Sequence, residues 1–258
     1  MKILILNGSP KRKGSTSELL GRMAGLFLAG CRIQYASLPM KSESSRGQAV
    51  AEIMRQFHDI DALILVAPLY VDGIPSHVLE FLQQAEEFCV KNGCHFFVYA
   101  ISNNGFIEGV HNKSHLRMYE CWCKRAGLTW GGGVGIGGGE MFHCLFVYYP
   151  IVFAGLIAVN LIRYCVMGTG IAFSDWRPLI ENIGVCVFFN CGIFYCMARL
   201  SMGVRKLRRM KNRYTRVMVP AFLFIPMADI FMTITALFNG KIIFTLLKQD
   251  DGNHSEDT

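Results

Sequence analysis

The sequence predicts an α/β chain, a doubly wound parallel sheet followed by a helical region apolar enough to lie in a membrane. Three observations predict it. Between residues 1 and about 140, short apolar runs alternate with amphipathic stretches. The runs are nearly continuous in Ile, Leu, Val and Ala, as in strands buried on both faces. From residue 141 to 247 the chain is mostly apolar, broken by one basic run. Of the 258 residues, 52% are hydrophobic and only 17% charged, against about 25% in soluble domains. That balance excludes a disordered or collagen-like chain and disfavours a uniformly soluble one.

The elements follow in order. Lys2 to Leu6 is an apolar run stopped by Asn-Gly-Ser-Pro, a buried strand and a turn. A helix is expected from about Ser15 to Leu28, and a strand from Cys31 to Leu38. Val50, Ile53, Met54 and Phe57 recur at helical spacing on one face. Ala62 to Ala67 is a third strand, and Val78, Leu82, Ala85 and Cys89 line a helix that starts near Pro75 or Ser76. Phe96 to Ile101 is a fourth strand. Leu116, Tyr119, Cys123 and Ala126 mark a helix that Gly127 can end in the left-handed conformation. Leu128 to Val134 is a fifth strand. Strands alternating with helices give a parallel sheet with right-handed crossovers. Ligands of such sheets sit beyond the carboxyl ends of the strands.

The formal net charge is +7, with seven basic residues and no acid from Arg205 to Arg216. Apolar stretches flank this run, so it reads as a membrane-side loop, not a nucleic-acid footprint. The ten cysteines are scattered through strands and apolar helices as small buried hydrophobes. Cys89 and Cys94, and Cys121 and Cys123, form no compact group of four, so neither an iron–sulfur cluster nor a structural zinc is expected. The opening apolar run, Ile3 to Leu6, is too short for a signal peptide, which places the N-terminal part in a reducing cytoplasm.

The chemistry concentrates in three loops at strand ends. Asn7 to Leu20, NGSPKRKGSTSELL, combines small residues, the hydroxyls of Ser9, Ser15, Thr16 and Ser17, a helix N-terminus, and the cations Lys11, Arg12 and Lys13. Together these make a phosphate cradle. A plain N-cap would need one hydroxyl and no cations. The spacing is not that of a Walker A loop, and no Rossmann G-x-G-x-x-G is present. The second loop, APLYVDGIPSHVLEFL, offers Pro68, Leu69, Gly73 and the ring of Tyr70. The third, SNNGFIEG, offers Asn103, Asn104, Gly105 and the ring of Phe106. A phosphate cradle beside two aromatic-bearing loops suits a flat heterocycle with a phosphate tail. His77 reads as a helix-start residue or a proton donor, and Glu108 as a loop charge. Gly131 to Gly139 holds seven glycines in nine residues; it is either a close packing approach or a flexible exit.

These three motifs, with NNGFIEGVHNKSHLRMYECWCKRAGLTWGGGVGIGGGEM, resemble the flavodoxin-like NAD(P)H-dependent FMN reductases and quinone reductases over residues 1–141. The resemblance implies a flavodoxin-like five-stranded sheet with FMN as cofactor. Hydride would come from NADH or NADPH and pass to an acceptor, for which an anchored position suggests a quinone or another electron-transfer acceptor. It implies that Ser9, Lys11, Ser15, Thr16 and Ser17 hold the phosphate. Pro68, Leu69, Tyr70 and Gly73 would line the isoalloxazine edge, with Asn103, Asn104, Gly105 and Phe106 on the other side. Relatives often carry Arg after Ser-Pro and Asn before Thr, where this chain has Lys11 and Ser15; Lys neutralises phosphate without the bidentate fork of Arg. The flavin does the redox chemistry in such enzymes, so no catalytic acid or base is assigned.

The domain plan is residues 1–141 for the flavin domain, 142–247 for the apolar region and 248–258 for an acidic tail. Met141 to Ile162 runs 22 residues without a formal charge, the length of a membrane span. Ile183 to Ala198, extended past Arg199 to Val204, is a second candidate. Val217 to Gly240, with Pro220, Pro226 and Asp229, is a third. One such segment could instead cover the sheet after strand five, Ser174 to Cys186 being the candidate. The expected protein is a membrane-anchored FMN-dependent oxidoreductase with its flavin domain on the cytoplasmic side. The rivals are a membrane-tethered flavin-binding sensor or interaction module, and a soluble homodimer with the apolar half as its interface.

Overall fold

The computed structural model describes residues 1–11, 14–40, 43–70, 73–167 and 173–238. Arg12, Lys13 and the acidic tail lie outside them. Six strands form one parallel sheet in the order β2-β1-β3-β4-β5-β6: β1 (Lys2–Asn7), β2 (Arg32–Ser37), β3 (Ala62–Pro68), β4 (Phe97–Asn103), β5 (Thr129–Gly137) and β6 (Arg213–Arg216). The helices are α1 (Thr16–Phe27), α2 (Glu43–Arg55), α3 (Ser76–Asn92), α4 (Lys113–Arg125), α5 (Gly139–Met167), α6 (Phe173–Arg205) and α7 (Ala221–Phe238).

Period-two alternation divides the strands between two faces. Leu4 and Leu6, Leu63 and Leu65, and Val98 and Ala100 share one core with Val50, Phe57, Phe81, Leu116 and Trp122 from the α2–α3–α4 side. The Trp122 indole N–H donates to the Leu82 carbonyl at 2.7 Å, so its burial leaves no donor unpaired. The alternate residues, such as Ile3, Ile5, Ile64 and Tyr99, are equally buried and face the α1–α6 side.

The sheet has six strands where five were expected. Arg213–Arg216 pairs in parallel with Val134–Gly137. The strand is short and basic because it is an edge, where charged side chains reach water. Arg213 lies over the Tyr195 ring, 5.3 Å from its centroid, and Arg216 pairs with Glu108. The last part of the basic run is therefore a sheet edge and not a loop. The middle of the run sits at the amino ends of the strands, where Met210 N–H donates to the Gly131 carbonyl at 2.7 Å.

The glycine run is the body of β5, not a flexible exit. A Cβ at Gly135 would lie 2.8 Å from the Gly109 carbonyl oxygen and 2.9 Å from Asn112 Cβ. Glycine lets the turn Gly109–Asn112 and Tyr214 close on the strand.

The helix that covers the sheet after β5 is the C-terminal half of α6, downstream of Ser174–Cys186. Asn190, Ile193, Met197, Leu200 and Val204 are buried at helical spacing. Ser201 and Arg205 donate to the Phe27 carbonyl at 2.6 and 3.0 Å, satisfying the end of α1 alongside. The Tyr99 hydroxyl lies 3.0 Å from the carbonyls of both Gly203 and Arg208. Much of the second span candidate thus packs on protein. The N-terminal half of α6 pairs with α5: Asn160 donates to the Asp175 carbonyl at 2.8 Å, and Arg163 meets the Asp175 carboxylate at 3.1 Å. Among the described residues, α5 and α6 are the helices long and apolar enough to cross a membrane. Met1–Met218 forms one compact unit, extended past residue 141 by α6 and β6, and Val219 onward forms another. In the second unit α7 is mostly apolar and contains Pro226 and Asp229.

Candidate functional site

The site is built from the carboxyl ends of β1, β3 and β4. Beyond β1 the backbone is folded by its own side chains. Ser9 N–H donates to Asn7 Oδ1 at 3.0 Å, and Lys11 N–H donates to Ser9 Oγ at 3.3 Å. Ser15 is the N-cap of α1 and accepts from Glu18 N–H at 3.1 Å. Glu18 accepts in turn from Gly14 N–H at 2.9 Å, a reciprocal arrangement close to a capping box. The N-terminus of α1 therefore faces the loop, where its partial positive charge favours an anion.

The three loops are tied to one another. Ser17 Oγ donates to Asn103 Oδ1 at 2.9 Å. Leu69 N–H donates to the Asn103 carbonyl at 2.8 Å. Asn104 N–H donates to the Ile136 carbonyl at 3.1 Å, and Gly139 N–H to the Asn104 carbonyl at 2.8 Å. Thr16 Oγ1 reaches the Gly139 carbonyl at 3.3 Å.

They enclose a cavity of about 220 Å³. Ser9, Lys11, Ser15, Thr16, Ser17, Pro68, Leu69, Tyr70, Asn103, Asn104 and Gly105 all line it. Two expected residues do not. Gly73 closes a turn with Tyr70, their N–H and C=O groups bonded both ways at 2.9 and 3.1 Å. Phe106 is exposed with its ring 5.1 Å from that of His111, and Gly138 N–H donates to its carbonyl at 2.6 Å. Gly14, Glu140 and His143 line the cavity too and were not picked from the sequence. The signal for Glu140 and His143 was position: they are the first titratable residues beyond the carboxyl end of β5.

Tyr70 is half-exposed. Burial and then the nearby Glu140 carboxylate push its phenol above the ordinary range, while a hydrogen bond with Ser9 opposes them. His77 sits buried in the first turn of α3, hydrogen-bonded to the Gly8 backbone, and burial lowers its pKa. It does not line the cavity. Glu108 is exposed and paired with Arg216. One buried acceptor in the cavity wall, Asn104 Oδ1, has no partner; such an atom is costly unless a ligand or water completes it.

A doubly wound parallel sheet in which β2-β1-β3-β4-β5 precede the added edge, with its cavity at the carboxyl ends, is the flavodoxin-like class. Residues 1–117 match the model of the family described as NADPH-dependent FMN reductase. This stretch, just under half of the chain, is similar to that family, and the match supports an NAD(P)H-dependent FMN reductase with FMN as cofactor and NAD(P)H as co-substrate. No curated protein matches the chain. Similar solved structures include the Trp repressor binding protein from Bacillus subtilis, 18% identical over 53% of this chain and 84% of that one, with a TM-score of 0.42. The NAD(P)H:quinone oxidoreductase from Methanothermobacter marburgensis is 16% identical over 54% and 85%, with a TM-score of 0.43. The azoreductase from Bacillus anthracis str. Sterne is 13% identical over 55% and 89%, with a TM-score of 0.41.

Proposed function

We propose that this protein is a membrane-anchored oxidoreductase whose FMN passes hydride from NADH or NADPH to a quinone. The convergence of the three loops on one cavity carries the reading. Ser9, Lys11, Ser15, Thr16 and Ser17 would hold the phosphate at the α1 N-terminus. Tyr70 with Pro68 and Leu69, and Asn103, Asn104 and Gly105 opposite, would position the ring system. Asn104 Oδ1 supplies an acceptor that a ring N–H can satisfy. The enclosed volume lies below the roughly 300–1000 Å³ of whole-ligand pockets, so it suits the phosphate end and leaves the remainder on the open side. When bound, the flavin supplies two-electron chemistry, and the protein supplies placement and electrostatics. The apolar helices α5 and α6 support the anchor. Cytoplasmic placement of the flavin domain agrees with ten unpaired cysteines, which suit a reducing compartment.

The test is the absorption spectrum of detergent-purified protein under anaerobic conditions. Flavin absorbance that bleaches with NADPH or NADH, and returns when a quinone is added, is expected. A protein that stays colourless after incubation with FMN would leave the Ser9–Ser17 loop as an ordinary helix cap. Flavin that binds but never bleaches would turn the assignment to a tethered sensor.

A further inference from the structure

The α5–α6 hairpin leaves the domain at the flavin end. The backbone fixes this. In the covering half of α6, Phe189 lies level with Met218, just past the carboxyl end of β6, whose N–H it accepts at 2.9 Å. Gly203 lies level with Met210 at the amino ends of the strands. The helix is continuous from Phe173 to Arg205. Residues 173–188 therefore rise beyond the carboxyl ends of the strands, by roughly 24 Å at about 1.5 Å per residue. The other arm, α5, starts inside the cavity wall: Glu140 and His143 line the cavity, and the same helix runs on into the hairpin.

The hairpin's outer surface is apolar. Ile151, Ile157, Val159, Leu161, Ile162 and Val166 are all exposed on α5. At about 100° per residue they and Tyr164 cover an arc of roughly 220°, everything but the side turned to α6. A protein partner buries one stripe of a helix, whereas apolarity around the free circumference matches a surrounding apolar medium. The charges on the α6 arm are paired within the hairpin, Arg163 with Asp175 and Arg177 with Glu181, which reduces the cost of bringing them near lipid. The basic cluster of Lys206, Arg208, Arg209 and Lys211 is at the opposite end of the sheet.

We infer that the hairpin enters the bilayer from the carboxyl end of the sheet, so that the cavity opens at the membrane surface and takes a lipid-dissolved acceptor. This rests on the membrane-anchored reading above and adds an orientation to it: the acceptor reaches the cavity from the membrane, and the basic end of the domain faces water.

Tryptophan quenching in reconstituted phosphatidylcholine vesicles tests it. The first arm uses lipids brominated along the acyl chain. Trp176, near the tip of α6, is expected to lose emission, and Trp176→Phe to abolish that loss. Absence of quenching at Trp176 overturns the anchor itself. The second arm places new probes in the Trp176→Phe background, Val110→Trp in the Gly109–Asn112 turn toward the carboxyl end of β5 and Arg209→Trp at the far end, with a nitroxide on the lipid headgroup. Emission lost at Val110→Trp and retained at Arg209→Trp is expected. Equal quenching at the two positions, or more at Arg209→Trp, overturns the orientation while leaving the anchor standing.

Discussion

Ser15 does two jobs that can be separated by measurement. Its hydroxyl caps α1 by accepting from Glu18 N–H, and it lines the cavity. Ser15→Ala is expected to destabilise the apo-domain by about 1 kcal/mol, the usual cost of a lost N-cap, seen as a lower Tm. Ser15→Asp keeps the cap but sets a carboxylate against the phosphate, so Tm should recover while FMN affinity, read by fluorescence titration, falls. His115 acts at the same scale and away from the cavity. Its ring lies in a fully buried cluster, Nδ1 2.6 Å from Ser102 Oγ, whose single proton goes to Asn112 Oδ1 at 2.7 Å. Burial lowers its pKa from 6.5 to about 4. The unfolded chain then takes up a proton between those values and the folded one does not. Stability is complete above pH 6.5 and is lost as pH falls toward 4, by about 2 kcal/mol at pH 5. Denaturant melts at pH 7.5 and pH 5 should show that loss, and His115→Gln should flatten it.

At the scale of the element, β5 owes its form to what packs against it. Tyr99, Gly109, Leu116 and Met210, each from a different segment, approach its glycines, so a side chain there has no space. Gly135→Val would drive Cβ into the Gly109 carbonyl and Asn112 and separate the Gly109–Asn112 turn from the sheet. A loss of about 1–3 kcal/mol is expected from the overpacking alone, read in thermal melts of the apo-protein. An unchanged Tm would mean the turn can move aside at no cost. The split role of α6 belongs here too. Its C-terminal half carries a buried stripe and its N-terminal half exposes Ile180, Ile183, Val187 and Phe188, so one continuous helix packs on the sheet at one end and presents apolar side chains at the other.

For the molecule as a whole, the proposed membrane anchor rests on the hairpin. Introducing Ile157→Arg with Leu161→Arg places two charges on the exposed arc of α5, each costing roughly 2.5–3.5 kcal/mol in a bilayer. The double variant should move from the membrane pellet to the detergent-free supernatant. It should still bind FMN, because neither position touches the cavity. Retention in the pellet with both charges in place would count against α5 as the anchor.

The sheet's first five strands, their helices and eleven of the cavity's residues were legible in the amino-acid sequence. Those signals are local: apolar runs of strand length, helical spacing, and small or hydroxyl residues at strand ends. Tertiary structure decided the rest. Arg-Tyr-Thr-Arg is a strand only because the edge of β5 is there to pair with it. Apolar length reads alike in a covering helix and in a span, so the two halves of α6 separate only when the sheet beneath one of them is seen. Glu140 and His143 join the site because β5 ends beside β4, a juxtaposition set by long-range pairing that no local pattern records.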